Sequence, residues 1–335
     1  MSTSSVQGSV DGSVAGSFEG GLADRVSLAL RRERPGLEVG ALTRLPGGHS
    51  GLTYRVETSE GPLVVKSVPE NQKALGRHDM LRQARIISAL APTRVPVPTV
   101  VATDDTEPAW FAMQLVGGES LEPVLDDPAV PPSLAAERML RAAEILPALH
   151  DVPLDQVPVD ADPLSPRDEL ARWARTMAAV PPHLVPDANQ LHQLLSDGVP
   201  PAVEATVVHG DYRLGNLICH GTEPVALIDW EIWSVGDPRV ELGWFLVFAD
   251  GSNFPGVGRE VEGLPTADEL VERYAADGRR VDDLAWFDAL GRYKMAAIMG
   301  HNLRRHLEGR HHDPDQERLP DTIERLIATG LSTTL

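Results

Sequence analysis

The apolar pattern of this chain changes period once, and that change constrains the fold more than any other feature. Up to Val116, short apolar runs of strand length alternate with glycine-bearing breaks. Beyond the pair Gly117-Gly118, apolar residues recur at helical spacing between proline-rich joins. In the first part, Leu22 to Arg32 reads as an amphipathic helix stopped by Pro35 and Gly36. Leu37 to Leu45, Thr53 to Glu57 and Leu63 to Val68 read as an antiparallel meander. His78 to Leu90 follows as a helix, and Trp110 to Val116 as a buried strand before the glycine hinge. In the second part, helices are expected at Pro132 to His150, Pro166 to Met177, Gln190 to Leu195 and Asp282 to His306, with short strands at Thr206 to His209 and Pro224 to Ile228. A chain of 335 residues with 42% hydrophobic content is long enough for two lobes. The expected organisation is a tail over residues 1–21, a first lobe over 22–116 and a second lobe over 117–335.

Composition narrows the function classes. A formal charge of −19 opposes binding to nucleic acid or to an anionic membrane surface, both of which select a basic face. Cys219 is the single cysteine, so no intrachain disulfide forms. Residues 1–21 are rich in Ser, Gly and Val and lack the basic start and apolar core of a signal peptide, so a disordered tail is expected. With no apolar run near the length of a membrane span, a soluble, cytoplasmic protein is expected.

The segment His209-Gly210-Asp211-Tyr212-Arg213-Leu214-Gly215-Asn216, followed by apolar Val225 to Ile228 and then Asp229-Trp230-Glu231, carries the chemistry. Phosphoryl transfer needs a carboxylate to orient and deprotonate an attacking hydroxyl, and Asp211, in a loop just after a strand, suits that role. It also needs hard oxygen ligands for magnesium, and Asn216 and Asp229 fit. This ordered set, H-G-D-x-x-x-x-N and then an apolar strand ending in I-D-W, resembles the aminoglycoside phosphotransferase family of the protein-kinase-like superfamily.

The resemblance implies an α+β, two-lobe fold with a small antiparallel-sheet N-lobe and a larger, mainly helical C-lobe. It implies ATP and Mg2+ as cofactors, a small-molecule hydroxyl as acceptor, Asp211 as base, Asn216 and Asp229 as metal ligands, and His209 as support of the loop. Gly47, Gly48 and Ser50 lie where the family keeps its phosphate-covering loop, and small residues there let backbone N–H groups approach phosphate oxygens. Lys66 falls at the position of the lysine that contacts ATP phosphates, and Met113, Gln114, Leu115 and Val116 at the adenine pocket. One departure stands out: Gln83 occupies the place of the glutamate that pairs with that lysine. Gly210 replaces the arginine that protein kinases use to receive an activation-loop phosphate, which implies an enzyme that is always on. Gly236-Asp237-Pro238-Arg239 with Glu241 resembles the family's G-D-P element, with Asp237 as a helix cap.

Other features carry plainer readings. His301, His306, His311 and His312 have no compact zinc spacing. Arg304, Arg305, His306 and Arg310 suit a solvated helix end, or a contact for an anionic substrate. Trp173, Trp230, Trp233, Trp286 and Tyr293 are core candidates that could also line an acceptor pocket. The breadth of the family it resembles leaves an amino sugar, a choline-like alcohol or a hydroxyacyl-CoA as acceptor, and the segment Leu45 to Val56, which looks most like the branch linked to acyl-CoA dehydrogenases, points to the hydroxyacyl class. The competing expectation is a nucleotide-binding pseudokinase that regulates a partner.

Overall fold

The computed structural model describes residues 11–45, 51–69, 72, 76, 79–126 and 130–333, with the backbone alone over 11–19. Two compact units partition the chain: one runs through Ser88 and adds Pro98–Val116, the other comprises Ala89–Val97 and Gly117 onward.

In the first unit, α1 (Asp11–Glu33) precedes β1 (Val39–Arg44), β2 (Leu52–Thr58) and β3 (Leu63–Ser67); α2 (Met80–Leu90), β4 (Val100–Asp104) and β5 (Trp110–Gln114) follow. The strands form one antiparallel sheet in the order β1-β2-β3-β5-β4. The expected meander is β1 to β3, while β4 lies in a stretch where prolines hid the strand signal. Helix α1 begins eleven residues before the expected Leu22 start, within the segment expected as a tail. Its buried Leu22, Val26 and Leu30, one per helical turn, pack against Tyr54, Val56, Val65 and Trp110 of the sheet. Arg25 ties the helix down by donating to Asp104 Oδ2 from Nη2 (2.7 Å), and Trp110 Nε1 donates to the same oxygen (3.1 Å).

The second unit is mainly helical: α3 (Pro132–His150), α4 (Pro166–Ala178), α5 (Ala188–Asp197), then after four short strands α6 (Pro238–Leu246), α7 (Ala267–Tyr274), α8 (Leu284–Leu307) and α9 (Pro320–Thr333). The strands form two antiparallel pairs: β6 (Thr206–Val208) with β9 (Ser234–Gly236), and the hairpin β7 (Leu217–His220) with β8 (Glu223–Leu227). Ala89–Val97 joins this unit through Leu227 N–H, which donates to the Pro96 carbonyl (2.7 Å). Helix α8 is buried along most of its length and packs with α4, α6 and α9 around Trp244, Phe248, Phe287 and Tyr293. Its crossing with α6 is set by two glycines. A Cβ on Gly243 would overlap the Phe287 carbonyl, and one on Gly291 would lie 3.0 Å from the Gly243 carbonyl, so the backbones meet where no side chain fits. Trp173, Trp230, Trp233, Trp286 and Tyr293 are all buried, as core residues are. At the end of α8, Arg304 donates to the Ala179 carbonyl and Arg310 pairs with Glu308 at 3.2 Å, the favourable placement of cations at a helix C-terminus.

Candidate active site

Strand β6 ends at Val208 and delivers His209 into the interior, where it is fully buried. Its Nδ1 accepts the Asp211 N–H (3.1 Å), so Nε2 carries the proton and donates to the Ile228 carbonyl (2.9 Å). Burial pulls its pKa down to about 4, so the ring stays neutral and holds the loop through both nitrogens. Trp230 packs edge-on against it, ring centroids 4.5 Å apart. Gly210 then takes φ +86, and a Cβ there would sit 2.8 Å from the Ile232 carbonyl, so this turn has room only for glycine.

The turn presents Asp211, whose side chain keeps 25% exposure. Three side chains hold the carboxylate: Trp244 Nε1 donates to Oδ1 (3.0 Å), Arg213 Nε lies 3.3 Å from Oδ1, and Asn216 Nδ2 donates to Oδ2 (2.8 Å). Asn216 Nδ2 also donates to the Asp211 carbonyl (2.8 Å), which fixes the amide and leaves its oxygen as the atom a cation would meet. The Asn216 carbonyl accepts from Ile228 N–H (2.9 Å), so the backbone itself joins Asn216 to the end of β8. Asp229, the next residue, adopts left-handed φ 69 and ψ 55, a conformation that aspartate tolerates better than most residues. Asn216 and Asp229, on two segments joined by that backbone bond, are oxygen donors of the kind magnesium takes, one or two protein groups with water and phosphate oxygens filling the octahedron. Among the described residues, no cluster of three or more His, Cys, Asp or Glu side chains could hold a metal ion.

Several supports of this loop were missed in the sequence. Glu241, read there only as part of a structural element, is 1% exposed, and its carboxylate accepts the N–H groups of His209, Gly210 (3.1 Å) and Tyr212 (3.3 Å). Burial raises its pKa. Glu122, fully buried after the hinge, accepts Gly215 N–H (3.2 Å) and lies 3.8 Å from Arg213 Nη1. Burial pushes it up to about 8, against the opposing pull of Arg213. Among the described residues its Oε1 has no hydrogen-bond partner. Ser120 Oγ donates to the Gly215 carbonyl (2.5 Å), and Lys294 donates to the Gly210 carbonyl. A local signal existed only for Asp237, which caps α6 as expected by accepting Arg239 N–H (3.0 Å).

In the first unit, Lys66 sits on β3 and its Nζ donates to Gln83 Oε1 (3.3 Å) on α2, so the expected lysine partner position is filled by glutamine. Gln83 is 2% exposed. Gln114 closes β5; its backbone N–H donates to the Thr99 carbonyl (2.8 Å), and with Leu30, Arg34, Glu60 and Leu115 it lines a hollow of about 280 Å³. Val116 is half-buried at the end of this unit. Gly47, Gly48 and Ser50 lie outside the described residues; Leu45 N–H donates to the Thr53 carbonyl (2.9 Å) and joins the chain on either side of them.

The model of the phosphotransferase enzyme family matches residues 41–290, so the chain belongs to that family. Among curated proteins, acyl-CoA dehydrogenase family member 10 of Mus musculus is 28% identical over 290 residues, which cover 80% of this chain and 27% of that protein. The chain thus spans about a quarter of that relative's length. A solved structure from Ralstonia eutropha JMP134, provisionally assigned as an aminoglycoside phosphotransferase, superposes with TM-score 0.73 at 21% identity, covering 90% of this chain and 96% of the other. A thermostable mutant of aminoglycoside phosphotransferase APH(4)-Ia, in ternary complex with AMP-PNP and hygromycin B, gives TM-score 0.60 at 16% identity over 89% of this chain and 96% of that one. At these identities the likeness is one of fold: the α+β, two-lobe, protein-kinase-like fold expected from the sequence.

Proposed function

We propose that this protein is an ATP- and Mg2+-dependent O-phosphotransferase acting on a hydroxyl of a small molecule. The observation that carries this reading is the bonding of Asp211: a carboxylate a quarter exposed, oriented by Trp244 and Arg213 on one oxygen and by Asn216 on the other. The acceptor hydroxyl donates to Asp211, its oxygen attacks the γ-phosphorus of ATP, and the bond to the β,γ-bridging oxygen breaks. The hydroxyl proton ends on Asp211, and ADP and a phosphoester leave. Asn216 and Asp229 would hold the metal, which neutralises phosphate charge when bound. Lys66 contacts the phosphates, with Gly47, Gly48 and Ser50 covering them and Gln114 and Val116 beside the base. A cytoplasmic location accords with the use of ATP, and among the described residues no helix is long and apolar enough to cross a membrane.

An amino sugar and a hydroxyacyl-CoA are the acceptor classes to test first. The name of the mouse relative, an acyl-CoA dehydrogenase family member, favours the second. The Lys66 to Gln83 bond favours a second reading, a nucleotide-binding pseudokinase, because a neutral amide steadies the lysine less than a carboxylate does. The test is ADP release from ATP and magnesium across a panel of aminoglycosides, choline-like alcohols and hydroxyacyl-CoA thioesters, with Asp211→Ala as control. Acceptor-dependent release confined to the wild type supports the enzyme. Nucleotide binding without release from any acceptor supports the pseudokinase.

A further inference from the structure

Lys294 is a buried cation that the proposed reaction does not use. It lies on α8, 2% exposed, with its Nζ donating to the Gly210 carbonyl. The ammonium stands 3.7 Å from the centroid of the Trp244 ring and 5.1 Å from that of Trp173. Burying an ammonium is costly unless neighbours compensate. Here they come from each element packed around it: Asp211 and the Gly210 carbonyl on the loop, Glu241 and Trp244 on α6, and Glu169 and Trp173 on α4, with Arg172 of α4 opposing them. Burial lowers the lysine's pKa, and the three carboxylates pull it back up.

Two of these contacts lead to Asp211. The Gly210 carbonyl belongs to the peptide unit whose N–H is that of Asp211. That unit is gripped at both ends, its oxygen by Lys294 and its N–H by His209 Nδ1 (3.1 Å). The preceding N–H, of Gly210, is held by Glu241 (3.1 Å). Trp244, whose face carries the ammonium, donates its Nε1–H to Asp211 Oδ1 (3.0 Å). Main chain and side chain of Asp211 are therefore both one step from the same cation.

We propose that Lys294 is a positioning residue for Asp211, setting the orientation of its carboxylate through the Gly210 carbonyl and the Trp244 indole. Its effect on turnover rests on Asp211 being the base, as proposed above; the coupling itself is testable without that assumption. In full-length protein labelled with 5-fluorotryptophan, the 19F resonance of Trp244 is assigned with Trp244→Phe. Its displacement by Asp211→Asn is then measured with Lys294 present and in Lys294→Met, a double-mutant cycle read at the shared indole. The proposal expects that displacement to be lost or clearly changed in Lys294→Met and largely retained in Lys294→Arg. The same displacement in both backgrounds overturns it, because a lysine that only braces α8 would leave the answer at Trp244 unchanged. If the methionine variant does not fold, Lys294→Gln takes its place: it removes the charge from the Trp244 face, and an unchanged displacement in it overturns the coupling through the indole.

Turnover supplies a second arm. With an acceptor from the panel above, Lys294→Met should lower kcat about 10- to 100-fold, the span of a lost charged hydrogen bond, with KM for ATP within about twofold. An unchanged kcat, or a loss carried by KM for ATP, counts against the assignment. Absence of turnover in the wild type itself would defeat the phosphotransferase reading, and the resonance cycle would still decide the coupling.

Discussion

Replacing Glu122 by glutamine should make the protein relatively more stable as the solution becomes more alkaline. Glu122 is fully buried, accepts one backbone N–H from Gly215, has one oxygen without a partner among the described residues, and stands 3.8 Å from Arg213. Burial outweighs Arg213 and moves its pKa from 4.5 to about 8. Between those values the folded protein keeps a proton that the unfolded chain has released. The unfolded state therefore binds fewer protons, and stability falls as pH rises through the window. Each pH unit inside it removes up to about 1.4 kcal/mol. Glutamine has no proton to lose and can still accept the Gly215 N–H, so it abolishes this one contribution and leaves every other titration in common. The stability of Glu122→Gln minus that of the wild type should rise by about 2–4 kcal/mol between pH 5 and pH 8. Urea unfolding followed by tryptophan fluorescence at pH 5, 6.5 and 8 measures it, provided the denaturant slope is the same for both proteins. A difference that changes by less than about 0.5 kcal/mol across that range would refute the reasoning and mean that Arg213 keeps Glu122 ionised throughout.

Three further outcomes follow from the same geometry. Asp211→Ala should lower phosphoryl transfer by about 10²- to 10⁴-fold, with the nucleotide dissociation constant within about threefold of the wild type; retained turnover would remove Asp211 from the role of base. Gln83→Glu converts the bond to Lys66 into a charged one and should lower KM for ATP by about 3- to 10-fold, a gain that steady-state kinetics would show to be missing if Lys66 does not touch the nucleotide. Gly243→Ala places a Cβ against the Phe287 carbonyl at the α6–α8 crossing and should destabilise the second unit by about 3 kcal/mol; an unfolding midpoint that does not move would show that the helices can part.

Elements whose own residues carry a period or a cap were legible in the sequence. Helix α3 was expected over Pro132 to His150 and spans those residues, and the β1–β3 meander falls within two residues of its expected bounds. The H-G-D-x-x-x-x-N run brings Asp211 and Asn216 together because both lie on one turn only five residues apart, a distance over which local backbone geometry decides contact. Strand β4 escaped because it is five residues long between prolines, too short for alternation to stand out. Strand β9 is three residues long and exists through its pairing with β6, a partner nearly thirty residues away that no local pattern names.

The supports of Asp211 were illegible for a different reason. Trp244, Glu241 and Lys294 lie on α6 and α8, 31 to 84 residues after the loop residues they bond, and each sits in a helix whose sequence explains it by packing alone. Lys294 lies within Gly291-Arg292-Tyr293-Lys294-Met295, where a lysine reads as a solvated position, since lysine is seldom fully buried. What buries it is the crossing of α8 with α6 at Gly243 and Gly291, which brings the helices close enough for Lys294 to cover the Trp244 face. Those two glycines, which as isolated helix glycines look like weak points, are thus what allows the cation to reach the Gly210 carbonyl. The turn that carries Asp211 is written locally, whereas its rigidity is written in the spacing of two helices. A substitution at Gly243 or Gly291 should therefore disturb Asp211 without touching any residue of the motif.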